Sequence, residues 1–326
     1  MLVVGIESSA HTFGVGIVRD GEVLANEKKM FKIGTSGMIP AQLAEFHSKN
    51  ALGVIKRALK TSKVSPRDIE GVAYTRGPGM GACLQVGQLA AKSMAASLRV
   101  PIAPVNHALA HVEIARHLAG QSDPVVLYVS GGNSQILKMS RKNPSHYSIL
   151  GETFDIGVGN MLDTFARSVN LNPSWGSTVA KEAKGGKYIE LPYTVKGMDF
   201  SFTGLLTKAV RLSASASRKD LCFSLQEVAF SMLCEATERA MLLTNSSEIC
   251  VCGGVAQSPR LRSMLSCMAE EHGSGFGFAP DQFNADNGAM VAFVGEKMLE
   301  SGMGYALKDC VVDQRYRIDR AEVRWE

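Results

Sequence analysis

Two histidines raise the first chemical question, because the segment His107-Ala-Leu-Ala-His111 places two imidazoles four residues apart. On a helix, positions i and i+4 share one face, and this spacing suits two ligands of a single metal ion. Two structural histidines fit the spacing equally well. The pair therefore predicts a metal site only together with further ligands.

The same spacing occurs in the HExxH motif of zinc proteases, which needs a glutamate directly after the first histidine as general base. Ala108 occupies that position here. A methyl group cannot take a proton from water, so the histidine pair does not predict a protease.

Two residues are candidates for further ligands. Asp286 lies just before a predicted helix that starts with glycine, where its carboxylate could point into a cleft; capping that helix is the alternative. Tyr128 lies in a predicted strand that leads into a glycine turn, and its phenolate could approach the same cleft. Simple packing in the sheet is the alternative for Tyr128.

Glycine-rich segments follow three predicted strands: the RGPGMG segment from Arg76, Ser130-Gly131-Gly132-Asn133, and Gly253-Gly254. None matches a P-loop or a Rossmann fingerprint. Such turns expose backbone amides to an anion, and three of them favour a nucleotide site over simple tight turns. Asp155 and Asp163 could each contact a ribose or magnesium, or cap the helix that follows.

The elements that must position these residues occur twice. LVVGIESS, TFGVGIVR and EVLANEKK predict three strands, with Asp20-Gly21 as a hairpin turn. VVLYVSGG, QILKMS and HYSILGETFD predict three more. Small-residue turns, Glu7-Ser8-Ser9 and Ser130–Asn133, follow the first strand of each set, and the backbone amides of both turns are expected to face an anion. Helices and further strands follow both sets. The pattern predicts a duplicated α/β fold whose two lobes enclose a nucleotide cleft.

The repeat sets the expected domain boundaries. Residues 1–123 form the N-terminal lobe, which the segment from about 300 to 326 completes. Residues 124–299 form the C-terminal lobe, with a helical insertion over about 155–215 that is richer in Gly, Lys and Ser.

Composition agrees with a globular protein in a reducing cytoplasm. Hydrophobic residues make up 45% and charged residues 20% of the chain, and no apolar run approaches the roughly 18 residues that cross a membrane. The N-terminus lacks a basic leader, and the seven cysteines form no CxxC pair. The net charge of +4 hints weakly at an anionic partner. Lysine-rich clusters, each either an RNA contact or a solvated face, are Lys28, Lys29 and Lys32; Lys56, Arg57, Lys60 and Lys63; and Lys181, Lys184 and Lys187.

Taken together, these segments resemble one family, the tRNA N6-adenosine threonylcarbamoyltransferases, which comprise bacterial TsaD and the archaeal and eukaryotic catalytic subunit of KEOPS. The resemblance covers almost the whole chain. It is carried by GIESSAHTFGVGIV, RGPGMGACLQVG, NHALAHVE, YVSGGNSQI, ETFDIGVGNMLDTFAR, YIELPYTVKGMDFSFTGL, CGGVAQSPRLR and DNGAM. Two details of these motifs resemble the archaeal and eukaryotic branch of the family: Tyr128 precedes Val129-Ser130, and His11 follows ESSA.

The resemblance implies an actin-like ATPase (ASKHA) fold and a metal-assisted acyl transfer without a covalent intermediate. The substrate would be threonylcarbamoyl-adenylate, whose carbamoyl group passes to N6 of adenosine 37 in tRNAs that read ANN codons, releasing AMP. The implied metal is iron or zinc, held by His107, His111, Tyr128 and Asp286, and magnesium is a further candidate ion.

The resemblance also implies contacts to an ATP- or AMP-type nucleotide. The implied residues are Tyr128, Val129, Ser130, Gly131, Gly132, Asn133, Asp163, Gly176, Gly253, Gly254 and Ser258. Two positions depart from the family pattern: Ala180 stands where a glutamate usually contacts the nucleotide, and Ser258 stands in place of an asparagine.

The partners implied by the resemblance are tRNA and the other KEOPS subunits: a small atypical kinase, a dimerisation subunit and an accessory subunit. Some archaeal forms carry the kinase fused at the C-terminus. Two other functions are compatible with the fold. One is a regulatory or assembly subunit that hydrolyses ATP slowly; the other is a sugar kinase, which has no use for the histidine pair.

Overall fold

The computed structural model describes residues 1–31, 39–142 and 144–326. The chain forms two compact units. The first comprises Met1–Ile114, Ser140–Tyr147 and Ala285–Glu326, and the second comprises Ala115–Met139 and Ser148–Asn284. The lobe boundaries expected after residues 123 and 299 stay a prediction.

The regular elements are numbered along the chain. The strands are β1 (Leu2–Glu7), β2 (Thr12–Arg19), β3 (Glu22–Met30), β4 (Gly71–Gly77), β5 (Ile102–Asn106), β6 (Val125–Val129), β7 (Ser134–Ser140), β8 (Ser145–Glu152), β9 (Val195–Lys196), β10 (Asp199–Phe200), β11 (Glu248–Cys252), β12 (Gly275–Phe278) and β13 (Glu322–Val323). The α-helices are α1 (Pro40–Ser62), α2 (Gly81–Leu98), α3 (His107–Leu118), α4 (Val158–Ser168), α5 (Gly176–Glu182), α6 (Thr203–Leu212), α7 (Arg218–Thr244), α8 (Pro259–Glu271), α9 (Asp281–Asn284) and α10 (Gly288–Glu300).

The sheet of the first unit has the strand order β3-β2-β1-β4-β5. β1, β2 and β3 form an antiparallel meander, whereas β1, β4 and β5 run parallel. The predicted hairpin joins β2 to β3. Asp20 and Gly21 have φ values of 51° and 80°, the left-handed pair that a type I′ turn requires.

Helices cover both faces of this sheet, which is why β1 is buried along its whole length. Alternate residues of β1, such as Val4 and Ile6, pack in one core with Val54 of α1 and Ala91 of α2. The opposite face of the sheet contacts α10.

Glycines let α10 approach the sheet very closely. A Cβ atom on Gly5 would lie 2.1 Å from the amide nitrogen of Ala292, and one on Gly16 would lie 2.2 Å from that of Ala289. No side chain fits these positions without displacing the helix. The start of α10 is therefore fixed against β1 and β2.

The sheet of the second unit repeats the same topology, with the order β12-β11-β6-β7-β8. β6 pairs antiparallel with β7 and parallel with β11, and β11 pairs parallel with β12. The first residues of β8 pair antiparallel with β13, and both of these stretches belong to the first unit. The repeated order confirms the predicted duplicated α/β fold.

The core of the second unit forms where α4, α7 and α8 pack with the sheet. Its largest buried side chains include Phe165 of α4 and Phe230 of α7. Residues 155–215 contain α4, α5, α6 and the short β9–β10 hairpin. The extent of the predicted helical insertion stays a prediction.

Two further features of the described chain concern membrane-spanning helices and cysteines. Among the described residues, no helix combines the length and apolarity needed to cross a bilayer. All seven cysteines are free thiols, and five of them are buried.

Candidate metal centre and glycine loops

The first unit gathers its polar residues at one edge of its sheet. β1, β4 and β5 are parallel neighbours, so their carboxyl ends lie together. Glu7 ends β1, Thr75 lies near the end of β4, and His107 directly follows β5 as the first residue of α3.

The start of α3 is set by Asn106. Its Oδ1 accepts a hydrogen bond from the amide of Leu109 at 3.0 Å, and its Nδ2 donates to the carbonyl of Tyr316 at 2.8 Å. With the helix starting at His107, the ring centroids of His107 and His111 lie 4.8 Å apart, with the rings nearly perpendicular.

Asp286 completes a group of three candidate ligands. Its Oδ1 lies 3.6 Å from Nε2 of His107 and 3.4 Å from Nε2 of His111, and one ligand atom from each residue lies within 4.8 Å of the others. Metal–ligand bonds of about 2.0–2.1 Å in a tetrahedron separate the ligand atoms by about 3.3 Å. The two imidazoles and the carboxylate therefore fit a transition-metal ion in both spacing and chemistry.

Asp286 does not cap α10. That role belongs to Asn287, whose Oδ1 accepts from the amide of Met290 at 3.0 Å. The alternative that Asp286 is only a capping residue is therefore wrong. Its side chain, 21% exposed, is directed towards the histidines instead.

Glu7 is a residue of this site that the sequence motifs did not predict. Fully buried, it accepts from Nδ1 of His107 at 3.0 Å, from Oγ1 of Thr75 at 2.6 Å and from the amide of Ser9 at 2.5 Å. The expected anion-binding turn at Glu7-Ser8-Ser9 is wrong for the Ser9 amide, which this carboxylate already engages. An acidic residue closing an otherwise apolar strand was the available signal.

The hydrogen bond that His107 donates to Glu7 fixes the tautomer of His107. A carboxylate only accepts, so Nδ1 carries a proton and Nε2 is the atom left for a ligand. Burial lowers the pKa of His107, but the charge and hydrogen bond of Glu7 outweigh it and raise the pKa to about 9. Burial raises the pKa of Glu7, yet the charge and hydrogen bond of His107 hold it below the ordinary value.

The pKa values of the other two candidate ligands are also shifted by their surroundings. Burial lowers the pKa of His111, which favours the neutral imidazole that binds metals. Burial alone would raise the pKa of Asp286, but the hydrogen bond to His111 and the charges of both histidines bring it below the ordinary value. Asp286 is thus held as a carboxylate beside the neutral imidazole of His111 and the more basic ring of His107.

Lys28 belongs electrostatically to this site. Burial lowers the pKa of its ammonium group, and the charge of Asp286 counteracts that effect. Lys28 lies in β3 opposite Gly14 of β2, with an intermediate exposure. Of the first lysine cluster, Lys32 lies outside the described residues.

In the second unit, the loop from Ser130 to Asn133 joins β6 to β7. The amide of Ser130 donates to the carbonyl of Asn133 at 2.8 Å, and Oγ of Ser130 accepts from the amide of Asn133 at 3.1 Å. The amides of Gly131 and Gly132 meet no acceptor among the described residues. Nothing lies within 4 Å of a Cβ position on Gly132. The loop thus presents two exposed donors.

Gly253 lies directly beside this loop. It follows β11, the parallel neighbour of β6, and a Cβ atom on it would lie 2.4 Å from the carbonyl oxygen of Val129. Its φ of 94° independently requires glycine. Space around Gly254 is open, with nothing within 4 Å of a Cβ position. Tyr128, the other proposed ligand, is 2% exposed within β6.

The remaining predicted nucleotide residues have structural roles of their own. Oδ1 of Asp163, in α4, accepts from the amide of Gly176 at 2.7 Å, and Ser258 caps α8. Asp155 accepts from the amides of Phe202 and Thr203, so it holds the start of α6. The capping alternative for Asp155 is therefore wrong in its helix: the helix that follows is α4, which has no side-chain cap, whereas Asp155 holds α6.

Solved structures of low sequence identity share this fold. One is HypF from T. kodakarensis, with a TM-score of 0.60 and 15% identity over 95% of this chain and 49% of that one. Another is the activator of 2-hydroxyisocaproyl-CoA dehydratase from Clostridium difficile, with a TM-score of 0.54 and 12% identity over 93% of this chain and 97% of that one. Together with the repeated strand order, they place the chain in the class of actin-like ATPase (ASKHA) folds.

Sequence comparison then defines the family. The family model described as tRNA N6-adenosine threonylcarbamoyltransferase, TsaD, matches residues 21–293. A protein of that name from Methanopyrus kandleri is 46% identical over all of this chain and 96% of its own length. A probable bifunctional tRNA threonylcarbamoyladenosine biosynthesis protein from Methanothermobacter thermautotrophicus is also 46% identical, but the match spans 61% of its length. The chain belongs to the tRNA N6-adenosine threonylcarbamoyltransferase family and is a transferase.

Proposed function

We propose that this chain transfers the threonylcarbamoyl group of threonylcarbamoyl-adenylate to N6 of adenosine 37 in tRNAs that read ANN codons, with the help of a bound metal ion. Membership of the family supports the reaction. One observation supports the metal: His107, His111 and Asp286 bring three ligand atoms to the spacing of a coordination site. The resemblance adds Tyr128 as the fourth ligand, and that assignment stays a prediction.

Iron and zinc are the proposed ions. Two imidazoles and one carboxylate are a donor set that both Zn²⁺ and Fe²⁺ accept. When bound, the ion would supply Lewis-acid chemistry and a fixed anchor for the threonyl group. Glu7 would keep Nε2 of His107 available by holding the proton on Nδ1.

The glycine loops of the second unit would bind the adenylate. The amides of Gly131 and Gly132 are donors for a phosphate oxygen, with Val129, Ser130 and Asn133 shaping the loop. Gly253 and Gly254 would leave room for the nucleotide beside that loop. The dehydratase activator of similar fold contains bound ADPNP, which supports a nucleotide site in this architecture.

The contributions of Asp163, Gly176 and Ser258 to the adenylate site are proposed on the family resemblance. Asp163 already holds the Gly176 amide, which would order the ribose side of the site before the substrate binds. Ser258 uses its side chain as a helix cap, so its nucleotide contact would come from the backbone.

We further propose that the chain acts with partner subunits of the KEOPS type in the cytoplasm. The bifunctional name of the Methanothermobacter relative supports a link to a second activity in the same biosynthesis. The proposed partners are a small kinase, a dimerisation subunit and an accessory subunit, with tRNA as the substrate.

Metal content tests the proposed centre. The purified protein is expected to carry about one transition-metal ion per chain, and His107→Ala and His111→Ala are each expected to lose it. His272→Ala is the matched control, because His272 bonds to Glu238 of the second unit and should leave metal content unchanged. A wild-type protein without a transition metal, or a His107→Ala variant that retains it, would refute the metal centre.

Mass spectrometry of modified adenosine tests the reaction. The metal-loaded protein is incubated with threonylcarbamoyl-adenylate, unmodified tRNA and all partner subunits, and both modified adenosine and AMP are expected. Absence of the modified nucleoside under these conditions would refute the transfer. Slow ATP hydrolysis in that same preparation would favour the regulatory-subunit function instead.

A further inference from the structure

The positive charge of this chain is concentrated in one segment of the second unit. Residues 176–220 contain eight Lys or Arg and four Asp or Glu, a net charge of +4. That equals the net charge of the whole 326-residue chain. The rest of the sequence is therefore neutral overall, so the net positive charge of the chain lies in this segment.

The fold gathers five of these cations on one surface. The loop that follows α5 folds against the first turns of α7. The amide of Lys187 donates to Oδ1 of Asp220 at 2.7 Å, and the amide of Ile189 donates to Oγ of Ser224 at 2.7 Å. We call the resulting group the basic surface: Lys181, Lys184, Lys187, Arg218 and Lys219.

Two glycines bring the loop and the helix into direct contact. Gly185 has a φ of 70°, and Nζ of Lys219 lies 3.3 Å from a Cβ position on it. A Cβ atom on Gly186 would lie 2.7 Å from the carbonyl oxygen of Lys219. Lys184 and Lys187 flank these glycines, so their positions relative to Lys219 are fixed by backbone contact.

The neighbouring acidic groups reduce the charge of this surface, but they form no ion pair with three of its lysines. Glu182 pairs with Arg218 at 3.2 Å, and the carboxylate of Asp220 binds the amide of Lys187. No described residue forms an ion pair with Lys184, Lys187 or Lys219, and all three side chains are exposed. Three exposed ammonium groups that pair with no described carboxylate are left.

An aromatic side chain stands at the edge of this array. Tyr188 directly follows Lys187 and is 60% exposed. Exposed aromatic rings beside cationic grooves stack on unpaired bases, and this contact is independent of charge. Lysine, by contrast, is depleted at protein–protein interfaces. The combination favours a nucleic acid over a protein partner.

We propose that the basic surface binds the phosphate backbone of the substrate tRNA and that Tyr188 stacks on one of its unpaired bases. This inference rests on the proposed function, since it assigns the docking surface for the same tRNA substrate. The lysines would supply affinity and orientation, because phosphate contacts carry no sequence information.

Salt-dependent binding of the full chain to an unmodified tRNA transcript tests the lysines. In the triple variant K184Q/K187Q/K219Q, the slope of log K against log salt concentration should fall by about 2 to 3, since each lost phosphate contact removes about 0.7–0.9. Affinity near 0.1 M salt should fall by at least about 10-fold. The matched control is K56Q/K60Q/K63Q, which removes three exposed lysines from and next to α1 and should bind like the wild type.

Tyr188→Ala separates stacking from charge. This variant should bind the transcript about 5-fold or more weakly, with an unchanged salt slope, because the ring carries no charge. A changed slope, or wild-type affinity, would refute the stacking contact.

The proposed surface and the proposed function fail in different ways. Wild-type affinity and salt slope in K184Q/K187Q/K219Q would overturn the surface, as would an equal loss in the α1 control. Neither result affects the mass-spectrometric test of transfer by the wild-type protein. If the wild type binds tRNA but makes no modified adenosine with all partners present, the proposed function fails while the binding surface stands.

Discussion

Glu7→Gln is the substitution that tests how the metal centre is held together. The Glu7 carboxylate accepts from three donors: Nδ1 of His107, Oγ1 of Thr75 and the amide of Ser9. A glutamine offers one accepting oxygen and one donating amide, so at least one donor loses its acceptor. If the amide faces His107, Nδ1 becomes the accepting nitrogen and the proton moves to Nε2, the atom needed by the metal.

The expected magnitude follows from these contacts. Loss of an outer carboxylate that orients a histidine ligand typically lowers metal affinity about 10- to 100-fold. That range corresponds to about 1.4–2.7 kcal/mol. Because the variant also loses the negative charge that stabilises a cationic centre, we expect a value in the upper half of the range.

The metal is first removed from the protein. Zinc is then added in competition with a chromogenic chelator, which measures the affinity of the protein for zinc. Glu113→Gln is the matched control, because Glu113 is equally buried and accepts from Tyr147 Oη at 2.6 Å and from Trp325 Nε1 at 3.0 Å. Although Glu113 lies on α3 with the two histidines, neither of these donors is a candidate metal ligand. Zinc affinity that is unchanged in Glu7→Gln, or lowered equally in Glu113→Gln, would refute the reasoning.

Three substitutions probe the scaffold, each by urea denaturation followed by circular dichroism. Asp155→Ala should lower the free energy of unfolding by about 1–2 kcal/mol at pH 7 through loss of a helix cap. Hydrogen bonds from Ser201 and from the amides of Phe202 and Thr203 outweigh burial and lower the pKa of Asp155. Its stabilisation is therefore present above the ordinary carboxyl pKa, and the deficit of the variant should shrink as pH falls below about 4; a deficit that grows in acid would contradict this. Gly16→Ala should cost about 3 kcal/mol, because its Cβ atom would overlap α10; a cost below about 1 kcal/mol would show that the helix moves freely. Gly53→Ala, in α1 with only a side-chain atom of Arg57 at 4.0 Å, should instead raise the free energy of unfolding by about 0.5–1 kcal/mol, and destabilisation there would argue against an open helix surface.

Local turn chemistry made much of the first meander predictable. Asp20-Gly21 is a hairpin signal because both residues tolerate positive φ, and the structure has that turn. The matching order of strands and helices predicted the duplication, and the strand order of the second sheet confirms it. The order could not be predicted directly, because parallel pairing of β1 with β4 joins residues about 70 positions apart, and nothing local in the sequence encodes it.

The sequence also did not predict which segments of the chain belong to each compact unit, because tertiary packing decides this. Ser140–Tyr147 and Ala285–Glu326 join the first unit although both follow the start of the second repeat in the sequence. The reason lies in packing: α10 fits against β1 and β2 only because glycines remove the side chains between them.

The sequence by itself determined the family, the fold class and the residue types that could bind a metal, since motifs and spacing are local properties. The roles of Asp286 and Glu7 were open at that level, because a carboxylate before a helix reads equally well as a cap, and one at a strand end reads as part of a turn. Only the tertiary structure set Asp286 facing His111 and gave the capping role to Asn287. It also placed Glu7 against His107, a hundred residues away, because the carboxyl ends of parallel strands meet at one edge of the sheet.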